Sequence, residues 1–566
     1  MTGMAPHDLV SLAPEIAMIL GAMACLVAGL ANPEAGRKAA PWLAATALFC
    51  ATVLTIDWNG TDVEVGIIDG PVLFTYGVGG FAGYVKLAVC FVGIVLLMVA
   101  AAVPDQLGQV LAADKRKVFD AGDSMRGEFF AFFLFSLTGV MLCAGANDLV
   151  WLFLALELTS LPTYIMVATS RERPGAQEAA VKYFFLGALS AAVFLYGFTL
   201  IYGATGFTEF SSIREAVVEQ VAASPDGTIS TTLLIGIVLS VLGIGFKVAA
   251  VPMHFYAADV YEGASTPITA FIAFVPKTAG FVSLLAVLHL VAWFPGPDGT
   301  LLPLPDPVFQ LIWWMAVLTM FTGNLLGLVQ KSVKRTLAYS SVAHSGYLLI
   351  GLLVGPTLRA SDGPGSEGVS AILFYLVGYG LATVGSFAVI GCLRDRGEEA
   401  DDFEDLSGLA EKYPWLAWIM LLSVFSLLGM PPFVGFVGKV YLFGAAFDAG
   451  LIGLIVIGVL NSAISAGYYL RIAGACFFGK PHPRVERVLW PGRRLGAGVA
   501  AFAALLLGVF SSWLIEAARS GNIIDPSAPA EAVAPPISPA STVAADPATP
   551  TPRADTMQSL GSQSRR

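Results

Sequence analysis

The chain is expected to fold as an all-α polytopic membrane protein of about fourteen transmembrane helices, and three observations predict this. Its 566 residues are 56% hydrophobic and only 13% charged, where soluble domains carry roughly 25% charged residues. Apolar runs of about 20 residues, the length one helix needs to cross hydrocarbon, recur from end to end. The runs are continuous, without the residue-by-residue alternation of a membrane barrel.

Fourteen runs, numbered spans 1 to 14, are centred near residues 20, 48, 92, 137, 158, 190, 240, 277, 318, 344, 380, 428, 462 and 504. Basic residues in the connections set their orientation. Connections after odd-numbered spans hold nineteen Lys and Arg, among them Lys115, Arg116, Lys117, Lys334 and Arg493, whereas those after even-numbered spans hold only Arg214 and Arg359. This places the odd connections in the cytoplasm and both termini on the opposite side. The opening "MTGMAPHDLV" has no basic region, so no cleavable signal peptide is expected. Residues 519–566 are rich in Pro, Ala, Ser and Thr; such a stretch buries too little apolar surface to offset its ordering entropy and is expected to be a disordered tail.

Six cysteines, at 25, 50, 90, 143, 392 and 476, lie singly in or beside spans and read as small apolar core residues. None forms a CxxC pair that would suggest zinc or iron–sulfur ligation. No GxGxxG or complete P-loop is present. The chain is therefore expected to bind no nucleotide, metal or haem, to carry no electrons and to contact no nucleic acid.

Six basic residues remain inside spans: Lys86, Lys182, Lys247, Lys277, Lys439 and Arg471. Each needs a reason, because a charge near the bilayer centre costs several kcal/mol. Lys86 and Arg471 lie near span ends and are expected to snorkel to the interface. Lys247 ("GIGFKVAAVP"), Lys277 ("IAFVPKTAGF") and Lys439 ("FVGFVGKVYL") lie well inside their runs. Pro252, Pro276 and the pair Pro431 and Pro432 interrupt helical hydrogen bonding nearby and free carbonyls that water or side chains must satisfy. Broken helices beside mid-membrane charges are how transporters build ion sites. The plainer alternative is a set of lysines paired structurally to tie helices together.

Glu157, in "LFLALELTSLPTYIM", is the only acid deep within span 5. Lys182, early in span 6, is its expected partner, although its position also permits snorkelling. Burial disfavours a charged amine and a nearby carboxylate favours it, so an acid that moves can load or unload a proton. His254 and His344 can relay protons at physiological pH, or serve as satisfied structural imidazoles. Glu15 is expected at the interface; Asp259 and Glu262 are expected to shape the inner connection after span 7.

Taken together, "LAPEIAMILGA", "LALELTSLPTYIM", "AAVKYFFLGALSAAVFLYG", "KVAAVPMHFYAADVYEGASTPITAF", "SVKRTLAYSSVAHSGYLL" and "GMPPFVGFVGKVYLF" resemble the subunit N family of bacterial NADH-quinone oxidoreductase, respiratory complex I. The resemblance runs to about residue 517 and is most specific from Lys247 to Phe271. It implies an antiporter-like membrane-arm subunit with two inverted five-helix repeats, spans 4–8 and 9–13, in which spans 7 and 12 are broken. The corresponding divisions are 1–127 for spans 1–3, 128–290 and 308–479 for the repeats, 490–518 for span 14, and the tail. In the same way it implies proton translocation along Glu157, Lys182, Lys247, Lys277 and Lys439, with His254 and His344 at positions where the family places histidine. "HFYAAD" departs from the family, which often has tryptophan shortly after the first histidine; here Phe255 and Tyr256 follow.

The implied complex holds NADH, FMN, iron–sulfur clusters and quinone in other subunits. The implied neighbours are the K, M, J, A, H and L types in the bacterial inner membrane, alongside lipid. A Na⁺/H⁺ antiporter or membrane-bound hydrogenase subunit is the first rival. Lysine at 439 argues against sister subunit M, and subunit L is expected to carry a long lateral helix. The second rival is a non-conducting scaffold of the membrane arm.

Overall fold

Continuous apolar sequence becomes continuous helix wherever proline and glycine leave it uninterrupted. The structure, a computed structural model, describes residues 12–31, 33–59, 80–101, 126–169, 174–297, 301–356, 367–395, 398–487 and 491–520. Lys115, Arg116, Lys117 and Arg359, the opening residues read for a signal peptide and the tail beyond Ser520 lie outside the described residues.

Spans 1 to 6 are α1 (Ala13–Ala31), α2 (Pro33–Asn59), α3 (Gly80–Ala100), α4 (Arg126–Ala144), α5 (Leu149–Thr169) and α6 (Pro174–Thr205). An additional helix, α7 (Phe210–Ala223), follows. It buries Phe210, Ile213 and Val217 at helical spacing and keeps a polar opposite face. Span 7 comes in two pieces, α8 (Thr231–Ile244) and α9 (Ala257–Gly263). Spans 8 to 11 are α10 (Thr266–Leu288), α11 (Asp306–Leu328), α12 (Val333–Val354) and α13 (Gly368–Gly391). A hairpin, β1 (Leu393–Asp395) and β2 (Glu398–Glu399), precedes the single turn α14 (Leu409–Lys412). Span 12 is again double, α15 (Pro414–Leu428) and α16 (Val434–Asp448); span 13 is α17 (Ile452–Phe478). Strand β3 (Val485–Arg487) pairs with β1 to give the order β2-β1-β3, before α18 (Pro491–Val509), which is span 14, and α19 (Ser511–Ser520). Among the described residues, twelve helices are long and apolar enough to cross a membrane. With the two-piece spans 7 and 12 they account for the fourteen expected spans.

The interior is built from α10, α12 and α13. Every residue of α10 and of α13 is buried, and α12 is nearly so. α10 packs on α13 and α9 packs on α12, so the first half of the molecule meets the second across these helices. Polar residues on them are held away from lipid.

Span 7 is unwound from residue 245 to 256, the stretch that holds Pro252, with Ala249 at a φ of 55°, whereas α10 runs through Pro276 without a break. Backbone groups freed there need partners. Val251 N donates to Thr319 Oγ1 at 2.9 Å, Phe246 O accepts from Tyr256 Oη at 2.9 Å, and Val248 O accepts from Ser345 Oγ. Span 12 parts at Gly429, which has a φ of 87° and caps α15.

Five expectations are corrected. Lys86 does not snorkel, and Glu15 is not interfacial: the two form an ion pair at 2.8 Å with side chains 5% and 2% exposed. Span 2 packs against both span 1 and span 3, and pairing removes the need to reach water. Arg493 belongs to α18 instead of a connection and is buried, donating to Val99 O at 3.1 Å and Gly391 O at 2.6 Å. Those carbonyls end α3 and α13, where helix dipoles favour a cation. Lys334 likewise sits fully buried in the first turn of α12. Cys50 is exposed while the other five cysteines are buried. Arg471 does sit at an exposed edge, donating to Gln330 O at 3.0 Å and covering the Phe403 ring.

Candidate functional site

Glu157, Ser160 and Tyr164 are three and four residues apart on α5, a spacing that puts them on one helix face. That face meets Lys247, which projects from the unwound stretch of span 7. Lys247 Nζ lies 3.7 Å from Glu157 Oε1, donates to Ser160 Oγ, and reaches Tyr164 Oη at 3.5 Å. The amine is buried, and the glutamate side chain is 19% exposed.

The expected Glu157–Lys182 pair is not formed. Lys182 Nζ instead bonds Glu178 Oε1 at 2.7 Å, one turn back on α6, and Asp259 Oδ2 at 2.8 Å on α9; its side chain is 42% exposed. Asp259 and Glu262 lie on α9, the second piece of span 7, not in a connection. Both also pair with Arg335 Nη1, at 3.1 and 2.7 Å. A cavity of about 350 Å³ opens beside this cluster, lined by Glu178, Lys182, Asp259, Glu262 and Asp401. Lys182 is therefore drawn toward the acids of α9, and Glu157 is left to Lys247.

Lys277 lies at the centre of the buried α10. Its ammonium donates to Ser341 O, to Ser341 Oγ at 2.7 Å and to Tyr379 Oη at 3.4 Å. Tyr379 Oη donates to Ser341 Oγ at 2.7 Å, and Tyr261 Oη of α9 meets the same hydroxyl at 3.1 Å. Gly280, one turn along α10, approaches the Lys247 segment closely: a Cβ placed there would stand 3.0 Å from Lys247 Cβ. The two lysines thus hang from adjoining backbone.

His344 occupies the ground between Lys277 and Lys439. Its Nδ1 is 2.7 Å from Tyr375 Oη and its Nε2 is 2.9 Å from Tyr469 Oη, which is bonded to Ser340 in turn. The imidazole packs against Tyr379, which faces Lys277, and against Tyr347. Tyr347 presents its ring to Lys439 Nζ 5.0 Å away. Lys439 itself donates to Leu428 O at 2.8 Å, a carbonyl released by the break in span 12. Beyond it, Asn324, Asn461, Tyr347 and Tyr468 share hydrogen bonds.

His254 stays apart from this set. Its ring packs on Phe255, and Nδ1 has no hydrogen-bond partner among the described residues. Phe255 is exposed, which puts this corner of the unwound segment at the protein surface. No group of three or more His, Cys, Asp or Glu suited to a metal ion occurs among the described residues.

Ser160 and the tyrosines complete the site beyond the titratable residues that the sequence singles out. Ser160 and Tyr164, Ser341 with His344 and Tyr347, and Tyr375 with Tyr379 all recur at three- or four-residue spacing in apolar helices. That polar stripe inside a hydrophobic span is the signal that points to them. Chemically, the arrangement offers proton-binding amines separated by groups that both donate and accept hydrogen bonds.

Comparison with known proteins gives a consistent result. The family described as NADH:quinone oxidoreductase/Mrp antiporter, TM matches residues 146–465. NADH-quinone oxidoreductase subunit N of Trichlorobacter lovleyi is 37% identical, over 89% of this chain and 95% of its own length. The subunit N of Paramagnetospirillum magneticum is 34% identical, over 92% and 99%. Among solved structures, a chain of respiratory complex I from Thermus thermophilus superposes with a TM-score of 0.68 at 30% identity, covering 89% of this chain and 98% of that one.

Proposed function

This chain belongs to the antiporter-like subunit N family of NADH-quinone oxidoreductase, and from that premise we propose how its residues move protons. It is a proton-translocating membrane-arm subunit, with quinone reduction carried out elsewhere in the complex. Energy arrives as a charge rearrangement in neighbouring membrane subunits and acts first on Glu157. Glu157 is the charge that Lys247 meets, 3.7 Å away, so a rearrangement that moves the carboxylate changes the field at the amine. The proton passes to Lys277, then by way of the His344 and tyrosine set to Lys439, and leaves on the outer side. Moving one charge across 100 mV requires about 2.3 kcal/mol.

The observation that carries this reading is the polar set around His344, which links the amine of α10 to that of the broken span 12 through helices otherwise packed with apolar residues. The role of Lys182 is revised from partner of Glu157 to partner of Asp259. It holds α6 to α9, the second piece of span 7, at the inner side. His254 keeps its place in the proposal as a relay at the surface of the same unwound segment, and its ring would have to turn toward Lys247 to serve.

The odd connections face the cytoplasm and both termini the periplasm, on the count of basic residues. The K, M, J, A, H and L types are the neighbours, in the bacterial inner membrane. NADH, FMN, iron–sulfur clusters and quinone belong to other subunits of the complex. Two inverted repeats, 128–290 and 308–479, follow spans 1–3 (1–127) and precede 490–518 and the tail 519–566. In each repeat the fourth helix is the one in two pieces.

Replacing Lys247 or Glu157 by alanine is expected to cut NADH-driven proton pumping while the assembled complex is retained; normal pumping in either variant would defeat the assignment. Na⁺/H⁺ antiport remains the second reading because the matching family includes the Mrp antiporters. Co-purification with peripheral redox subunits separates the two.

A further inference from the structure

We infer that Lys334 and Glu399, which belong to the second half of the molecule, are positioning residues that hold the junction of spans 7 and 8 and through it the hydrogen-bond set of Lys277. The inference rests on the proton-carrying reading of Lys277 given above. α9 ends at Gly263 and α10 begins at Thr266, so only two residues join them. Ser265, the residue before α10, makes no side-chain cap to its first turn. The cap comes from a residue 133 positions away instead: the Glu399 carboxylate accepts from Thr266 N at 3.0 and 3.1 Å and from Thr266 Oγ1.

Lys334 does the opposite service on the other side of the turn. Its fully buried ammonium donates to Glu262 O at 3.2 Å and Ala264 O at 2.7 Å, the carbonyl end of α9, and pairs with Glu399 Oε2 at 3.3 Å. A carboxylate thus stands at a helix N-terminus and an ammonium at a helix C-terminus, each where the backbone dipole favours it. Arg394 adds a third charge, 3.8 Å from Glu399.

The junction leads directly to Lys277. Thr269 Oγ1 of α10 donates to Tyr261 O of α9 at 2.9 Å, and Tyr261 Oη meets the Ser341 hydroxyl that receives the Lys277 ammonium. Lys334 and Ser341 share α12. Loosening the clamp therefore shifts Tyr261 against Ser341 and disturbs the place where Lys277 rests.

The test measures protons pumped per NADH oxidised by the assembled complex in inside-out membrane vesicles. This ratio is insensitive to how much complex is made. Lys334→Met and Glu399→Gln singly are expected to lower it about fivefold, within the range produced along coupled networks. The double variant is expected to recover to within about twofold of wild type, since neither member of the buried Lys334–Glu399 pair is left facing a lost partner, Arg394 keeps its bonds to Gly391 O and Leu393 O, and the amide still accepts from Thr266. Thr266→Val, which deletes one hydroxyl contact and leaves both charges in place, is expected to lower the ratio about twofold, and it serves where a single charge variant fails to assemble. Wild-type ratios in the single variants and in Thr266→Val, or a double no better than the singles, overturn the inference. Lys277→Met is the reference: if it alone retains the wild-type ratio, the proton-carrying reading fails, whereas its loss beside unaffected clamp variants overturns only the clamp.

Discussion

Lys247 Nζ stands 3.7 Å from Glu157 Oε1, while Lys182 turns to Asp259 at 2.8 Å. The carboxylate of unbroken α5 therefore faces the one amine carried by unwound backbone. Two acids and two lysines have sorted by reach: Lys182 lies early in α6, level with α9, and Lys247 lies level with the middle of α5.

The sorting predicts unequal effects. Lys247→Met should depress proton pumping about tenfold more than Lys182→Met, equivalent to roughly 1.4 kcal/mol of difference. Pumping and NADH oxidation, measured together in vesicles of each variant, check this. Equal losses would mean that Lys182, and not Glu157, controls the amine.

A second prediction concerns the imidazole. Tyr375 and Tyr469 each hold one ring nitrogen of His344. Phenylalanine at either position leaves a buried nitrogen unsatisfied, at about 1–3 kcal/mol. Pumping should fall in both variants while quinone reduction by artificial-acceptor assay is retained. The double Tyr375→Phe/Tyr469→Phe variant should fall no further than a His344→Ala variant, because all three act on one group.

The break in span 12 makes a third. Gly429 has a φ of 87°, and a Cβ there would stand 2.9 Å from Lys439 Cδ. Gly429→Ala adds strain of about 1–2 kcal/mol in a left-handed backbone and displaces the amine from Leu428 O. Reduced pumping with normal complex abundance on native gels is expected. Gly453→Ala, a helical position whose Cβ would meet nothing within 4 Å, should be silent in the same assay.

Stability gives the fourth. Glu15 and Lys86 are a buried pair outside the polar set. Lys86→Met leaves an unpaired carboxylate and should cost about 3–5 kcal/mol, whereas Glu15→Leu with Lys86→Met should be close to neutral. The thermal inactivation temperature of the purified complex separates the two outcomes, and pumping in the double variant should match wild type.

Much of this was legible in the sequence, because bilayer thickness fixes helix length and the cost of a buried charge marks the lysines. Pro252 and the Pro431–Pro432 pair mark the two breaks, whereas Pro276 stands inside unbroken α10. Pairing was not legible. Whether Glu157 meets Lys182 or Lys247 depends on how far the unwound segment carries Lys247 toward α5, and no spacing rule reports that. Lys334 and Arg493 looked like loop charges because both stand at helix starts; their burial follows from helix ends belonging to other parts of the chain. Tyr379, Tyr375 and Tyr469 carry no signal of their own in the sequence because tyrosine is ordinary in apolar helices, and only their convergence on Lys277 and His344 gives them meaning.

The most direct measurement is an experimental density map of the assembled complex, fine enough to show ordered water between Lys247, Lys277, His344 and Lys439. The account predicts waters bridging these groups into one hydrogen-bonded path that opens outward past Lys439. Amines separated by tightly packed apolar side chains, with no water between them, would contradict it and leave a structural brace.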